Sequence, residues 1–340
     1  MTTLQAIDAD GHVLDNRDLI IARLPRAMRE REWAFVPRNT WDSTLGGKLG
    51  QPEVNAPEWL AAMDEGGMEQ AVLFPTRLLN IGCVQERELA VALCQAYNSY
   101  LTDEYLRFSP RFKGVAVLPM QDIDAAVVEL RRAVTELGMV TAMLPTSGTP
   151  GRPLFGHPMY DPLYEEAQRL GVPLSMHANV TNPHGPEIDP FERMIESHTV
   201  VHPFGQMRQL TSLIWSGVFE RFPRLLFASL EAGATWVPFF MDRIDEEFEK
   251  RASVEAPLVR SDPSGYFKEG RIYVHFEAGE GLIAETLQYA GEDWFIYASD
   301  FPHWDHEYPR SLQKMRDHPR LSDVTKQKIL RENAQRLFRL

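Results

Sequence analysis

Cysteine is nearly absent: Cys83 and Cys94 are the only two in 340 residues. Neither a disulfide framework nor a thiolate-rich structural zinc site is therefore indicated, and the count suits a reducing cytosol. Long apolar runs are missing as well. No uninterrupted stretch approaches the ~20 residues that span a bilayer, and Met1-Thr2-Thr3-Leu4-Gln5-Ala6 lacks the basic start and apolar stretch of a secretory signal. A cytoplasmic protein is the expectation. Positive charge is in deficit too, with Lys+Arg 35 against Asp+Glu 48 and a net charge of −13, a balance that repels phosphate backbones and anionic membrane surfaces. Nucleic acid and membrane are thus excluded as expected partners, which leaves a small-molecule substrate. Neither a Gly-x-Gly-x-x-Gly nor a Gly-x4-Gly-Lys-Ser/Thr loop occurs, so nothing supports a phosphate-handling site. Repeats, charge blocks and low-complexity tracts are absent, and residues 1–340 read as one domain.

What is present is enough apolar material for a sizeable core, at 44% hydrophobic and 24% charged residues. Short apolar runs alternate with longer amphipathic stretches, the pattern of βα units. The runs are Leu4 to Ala9, Gln70 to Pro75, Gly114 to Pro119, Val140 to Pro145, Val172 to Ala178, Leu225 to Leu230, Ile272 to Glu277 and Trp294 to Asp300. Several stop at proline, which has no N–H to give a ladder. Between them Ile123, Val127, Leu130 and Val134 recur at helical spacing, as do Met207, Leu210, Ile214 and Val218. Helices are also expected over Glu86 to Tyr105 and Ser322 to Leu340. Eight strand-like runs over this length predict an α/β fold closed into a (β/α)8 TIM barrel. Two insertions interrupt the rhythm. One follows the first run and holds Arg38 to Asp42 and Gly46 to Gly50; the other, Asn179 to Pro203, follows the fifth and carries His184, His198 and His202.

In such a barrel the C-terminal ends of the strands share one pocket, so polar residues there are the first candidates for chemistry. The first run ends with Asp8, Asp10 and His12, which alternate at strand period and are expected on one side. The fifth ends at His177 and the eighth at Asp300. A carboxylate and an imidazole two residues apart, joined by a second imidazole and a second carboxylate, form the nitrogen and oxygen mixture that a catalytic divalent ion uses. Taken singly, each residue also fits a structural job. Their joint placement at the ends of three strands favours a metal site. His275 and Glu277 alternate on the seventh run, where they either face the site or fill barrel layers.

The segments Asp8-x-Asp10-x-His12, Gly114 to Pro119, Asp161-Pro162-Leu163-Tyr164, Pro173-x3-His177, Phe219 to Pro223, Arg243-Ile244-Asp245, Ser299 to His303 and Asn333-Ala334 occur in the order found in a known family. Over essentially its whole length the chain resembles the amidohydrolase 2 branch of the amidohydrolase superfamily, which includes aminocarboxymuconate-semialdehyde and resorcylate-type decarboxylases. The resemblance implies a distorted barrel with one divalent metal, held by Asp10, His12, His177 and Asp300, with Asp8 behind them as an orienting group. It also implies a homo-oligomer. Zinc is the first expectation for this donor set, and manganese tolerates the same ligands.

One departure stands out. Decarboxylases of the family carry a histidine on strand six that helps bind substrate or activate water, whereas this chain reads Ala228-Ser229-Leu230-Glu231-Ala232-Gly233, with Glu231 in that general place. His275 and Glu277 are the residues that offer a replacement. Three readings follow. The leading one is a non-oxidative decarboxylase of a small aromatic or unsaturated carboxylic acid, with Asp300, Glu231 and His275 as catalytic candidates. The second is a hydrolase of an amide, ester, lactone or C–C bond, with Asp300 as general base towards metal-bound water. The third is a metal-free binding module, which the intact ligand set argues against. Candidate substrate contacts are Arg38, Trp41, His303 and Trp304, Arg38 because a guanidinium matches a carboxylate in two-pronged fashion.

Overall fold

Each of the eight apolar runs overlaps a strand, and every neighbouring pair is parallel, as expected of strands buried on both faces. A computed structural model describes residues 4–30, 54–178, 191 and 193–340. The strands are β1 (Ala6–Val13), β2 (Met68–Pro75), β3 (Phe112–Val117), β4 (Thr141–Pro145), β5 (Leu174–His177), β6 (Phe227–Leu230), β7 (Ile272–Phe276) and β8 (Phe295–Tyr297). They follow one another in sequence order around the sheet. Residues 298–301, just past β8, return to β1: Asp300 N–H donates to Asp10 O at 3.0 Å and His12 N–H to Phe301 O at 2.8 Å. The resulting architecture is a nearly closed (β/α)8 barrel.

Its outer layer includes α1 (Ala56–Gly66), α2 (Arg87–Leu101), α3 (Ile123–Thr135), α4 (Asp161–Leu170), α5 (Met194–Trp215), α6 (Val237–Glu255), α7 (Ile283–Ala290) and α8 (Arg310–Arg316). Local sequence explains the starts and stops. Asn55 and Glu58 make a reciprocal capping box at α1, and Asp122 accepts from Ala125 N–H at α3. Gly67 and Gly171 take the left-handed conformation that ends α1 and α4. No helix among the described residues is long and apolar enough to cross a membrane, and no disulfide joins Cys83 to Cys94.

Two expectations change here. Strict alternation from Asp8 to His12 fails, because Asp8 pairs with Ala71 while Gly11 pairs with Leu73, leaving one extra residue on β1. Gly11 fits this bulge because a side chain there would meet the Trp59 ring at 2.6 Å. The second change concerns Asn179 to Pro203, which is not insertion throughout: α5 begins at Met194 and contains Pro203. A proline inside a helix removes one backbone bond, and contacts to the barrel compensate. Gln206 Nε2 donates to Met176 O at 2.9 Å and Leu230 O at 2.8 Å, and Gln209 Nε2 to Thr146 O at 2.8 Å. Arg38, Trp41, the rest of the first insertion and residues 179–190 with His184 lie outside the described residues.

The N-terminal end of the barrel is tied by arginines. Arg316 donates to Leu4 O, Gly66 O and Gly67 O at 2.9, 2.7 and 2.9 Å. Arg111 reaches Met68 O and Glu69 O, and Arg271 reaches Leu225 O and Phe222 O.

Candidate metal centre

Strands β1, β5 and the segment after β8 bring Asp10, His12, His177 and Asp300 together at the C-terminal end of the barrel. Asp10 Oδ1 lies 3.3 Å from His177 Nε2 and 3.6 Å from His12 Nε2, and His12 Nε2 lies 3.3 Å from Asp300 Oδ1. The two Nε2 atoms are themselves 3.3 Å apart. Asp10, His12 and His177 are fully buried.

The far side of each ring fixes its tautomer. His12 Nδ1 is 2.8 Å from Pro75 O, and His177 Nδ1 is 2.6 Å from Ala178 O. A carbonyl only accepts, so each Nδ1 carries its proton and each Nε2 turns a lone pair inward. Neither carboxylate oxygen of Asp10 has a hydrogen-bond partner among the described residues. Two lone pairs and an unpartnered buried carboxylate facing one another are repulsive and costly without a cation between them. The donor set fits a divalent ion of the zinc or manganese kind. A second grouping shares His12 and Asp300 and adds His303.

Asp8 belongs to a different assembly. Its carboxylate accepts from Ser299 N–H at 2.9 Å, Ser299 O–H at 2.5 Å and Asp10 N–H at 3.2 Å. It clasps β1 to the segment after β8, between the two carboxylates of the cluster.

Electrostatics follow from this crowding. Burial pushes Asp300 up, but His303, whose Nδ1 lies 2.7 Å away, outweighs it and holds the carboxyl well below its usual range. Glu231 is pushed well above its usual range by burial, then by Asp300 and Asp10. Burial lowers His12, and lowers His202 to about 3. Asp300 and Glu231 both adopt left-handed backbone, with φ of 54° and 49°. Such strain in a residue with a side chain costs about 1–3 kcal/mol and gathers at functional sites.

A cavity of about 560 Å³ opens onto this cluster, lined by His198, His202, Glu231, Glu277, Asp300 and Asp305 among others. Glu231 Oε2 is 3.4 Å from His177 Nδ1. His275 is buried behind the wall: its Nδ1 accepts Glu231 N–H at 3.1 Å, and its Nε2 lies 3.6 Å from Glu277 Oε1. His303 stacks on His12 at 3.8 Å between ring centres, with Nε2 3.1 Å from Thr76 Oγ1. Trp304 is half-buried, its ring 6.3 Å from that of His198.

His198 and His202 were not reached by reasoning from strand ends, because they stand on α5. The signal was a spacing. His198, His202 and Gln206 recur every four residues, hence on one face, and the docking of Gln206 onto β5 and β6 carries that face over the cavity.

The sequence profile described as Amidohydrolase matches residues 7–340. A gamma-resorcylate decarboxylase from Rhodococcus jostii (strain RHA1) is 30% identical over 332 residues, covering 90% of this chain and 93% of that protein. The 5-carboxyvanillate decarboxylase structure from Sphingomonas paucimobilis superposes with a TM-score of 0.81 at 20% identity, covering 99% of both chains. A dihydroxybenzoic acid decarboxylase from Polaromonas sp. JS666, solved with bound manganese and the inhibitor 2-nitroresorcinol, gives 0.77 at 22% identity, covering 99% of this chain and 97% of that one. The chain belongs to the amidohydrolase family.

Proposed function

We propose that the chain is a metal-dependent, non-oxidative decarboxylase of a small aromatic or unsaturated carboxylic acid. The observation that carries the reading is the unpartnered Asp10 carboxylate facing two inward Nε2 lone pairs, in a chain similar along its length to a decarboxylase. Asp10, His12, His177 and Asp300 would hold one divalent ion, zinc in first place and manganese as the alternative. When bound, it supplies positive charge that fixes an anionic substrate oxygen and offsets charge developing during the reaction.

The reaction exchanges a carboxylate for a proton at carbon: the C–C bond breaks, its electron pair stays on the substrate carbon, and carbon dioxide leaves. Asp300 borders both cluster and cavity and passes the proton to the substrate carbon, while Glu231, pushed up by burial, is the acid on the same cavity that holds one beforehand. His303 at 2.7 Å fixes the Asp300 carboxyl's direction, and Thr76 in turn fixes His303. Glu231, beside His177, is a second acid on the same cavity, in the place where the resemblance implies a histidine. His275 acts through Glu231 by holding its backbone N–H. His303 and Trp304 border the substrate region, and Arg38 and Trp41 remain proposed contacts from the first insertion. We extend the reading to a cytoplasmic homo-oligomer, on the resemblance and on two cysteines that form no disulfide.

Incubating metal-loaded enzyme with 2,6-dihydroxybenzoate and related hydroxybenzoates is expected to release carbon dioxide and the matching phenol. Cleavage of esters or lactones with no carbon dioxide from any acid would replace this reading with the hydrolytic one, which Glu231 beside the cluster favours as a general base.

A further inference from the structure

The cavity wall carries more carboxylates than a divalent ion balances. Asp10 and Asp300 suffice for two positive charges, yet Glu231, Glu277 and Asp305 face the same space. None of these three is paired with Lys or Arg among the described residues. Their nearest charged or polar rings are imidazoles, at 3.4 Å from Glu231, 3.6 Å from Glu277 and 3.9 Å from Asp305. Lys314, also on the wall, is held by Glu307.

His275 supplies an independent sign. Its Nδ1 accepts the Glu231 N–H, so its proton sits on Nε2. That Nε2 is buried, lacks a hydrogen-bond partner among the described residues and points towards Glu277. Burial pushes both the Glu277 and Asp305 carboxylates up, Asp305 to about 7, but their side chains stay 56% and 33% exposed, and the buried donor aimed at Glu277 favours its ionised, accepting form.

Ionised carboxylates accept hydrogen bonds and repel other anions. We propose that Glu277 and Asp305 select the substrate: a monocarboxylic acid whose ring or chain carries hydroxyl or amino donors towards this wall, in preference to a dicarboxylic acid of the same size. The selection rests on the decarboxylase reading only in placing the single carboxylate at the metal cluster.

Binding, measured apart from turnover, tests it. Calorimetric titration of the metal-loaded enzyme would use 2-hydroxybenzoates bearing a hydroxyl, an amino, a methyl or a carboxylate group at one and the same ring position. The hydroxyl and amino members are expected to bind about tenfold more tightly than the carboxylate member, with methyl between. Glu277→Gln with Asp305→Asn is expected to close most of that gap by tightening the carboxylate member, with metal content and melting temperature reporting an intact fold. Equal binding of hydroxyl and carboxylate members, a gap unmoved by the double variant, or no binding by any member would overturn the selection. The predicted ranking without carbon dioxide release would leave the selection standing and remove the decarboxylase reading.

Discussion

The two ends of the barrel handle polar groups in opposite ways. At the N-terminal end, Arg316 spends its donors on three backbone carbonyls, and Arg111 and Arg271 do the same for neighbouring strands. At the C-terminal end, Asp10 is buried with no donor, and Glu231, Glu277 and Asp305 have no Lys or Arg among the described residues. The carbonyls held by these arginines are satisfied within the chain, and that stabilises it. The C-terminal end is unsatisfied and therefore waits for something the chain does not contain. Metal and substrate are what complete it.

Changes at the two ends should separate function from stability. Asp10→Asn is expected to remove most bound metal and lower activity about a thousandfold or more, while raising the melting temperature of metal-free protein because an unpartnered buried charge disappears. Metal analysis with calorimetry checks both, and a fall in metal-free stability would break the contrast. Arg316→Met is expected to do the reverse, costing about 2–4 kcal/mol of unfolding free energy by orphaning three carbonyls, with kcat per folded molecule unchanged. Denaturant titration beside steady-state kinetics reads it. Ser299→Ala sits on the seam and should show a smaller effect of both kinds, about tenfold in metal affinity and about 1 kcal/mol in stability. The smallest effect lies away from both ends, on α4. Glu166 bonds Arg169 and Arg131, and Arg169 first, then Arg131, hold its carboxyl down at about 2 against its ordinary 4.5. A depressed folded value means this contribution is fully present above pH 4.5 and is lost as pH falls from there towards 2. Melting curves of Glu166→Gln should therefore converge on those of the native chain below pH 4.5 and fall under them above it.

The strands were legible in sequence because a parallel strand buried on both faces is a continuous apolar run, and several here end in proline. His12, His177 and Asp300 were legible because barrel topology turns strand ends into a single place. The bulge on β1 was not, since Asp8, Asp10 and His12 alternate perfectly as letters and the extra residue shows only in the pairing with β2, where Trp59 leaves Gly11 no room for a side chain. The start of α5 was hidden by Pro203, whose local cost is outweighed by hydrogen bonds from Gln206 to strands far off in sequence. His198 and His202 were missed for the same reason.

The seam between β1 and the residues after β8 also sets a schedule. Half the cluster, Asp10 and His12, leaves the ribosome near the start of synthesis, whereas Asp300 comes some 290 positions later. Asp8 and Ser299 meet only when both exist. A nascent chain with its first seven strands assembled thus has an open edge and an incomplete cluster, and sequence-distant closures of this kind form late. The cluster is complete only once Ser299 and Asp300 have been made, and a chain cut short before Ser299 would keep all eight strands while lacking one carboxylate and the clasp that aims the other.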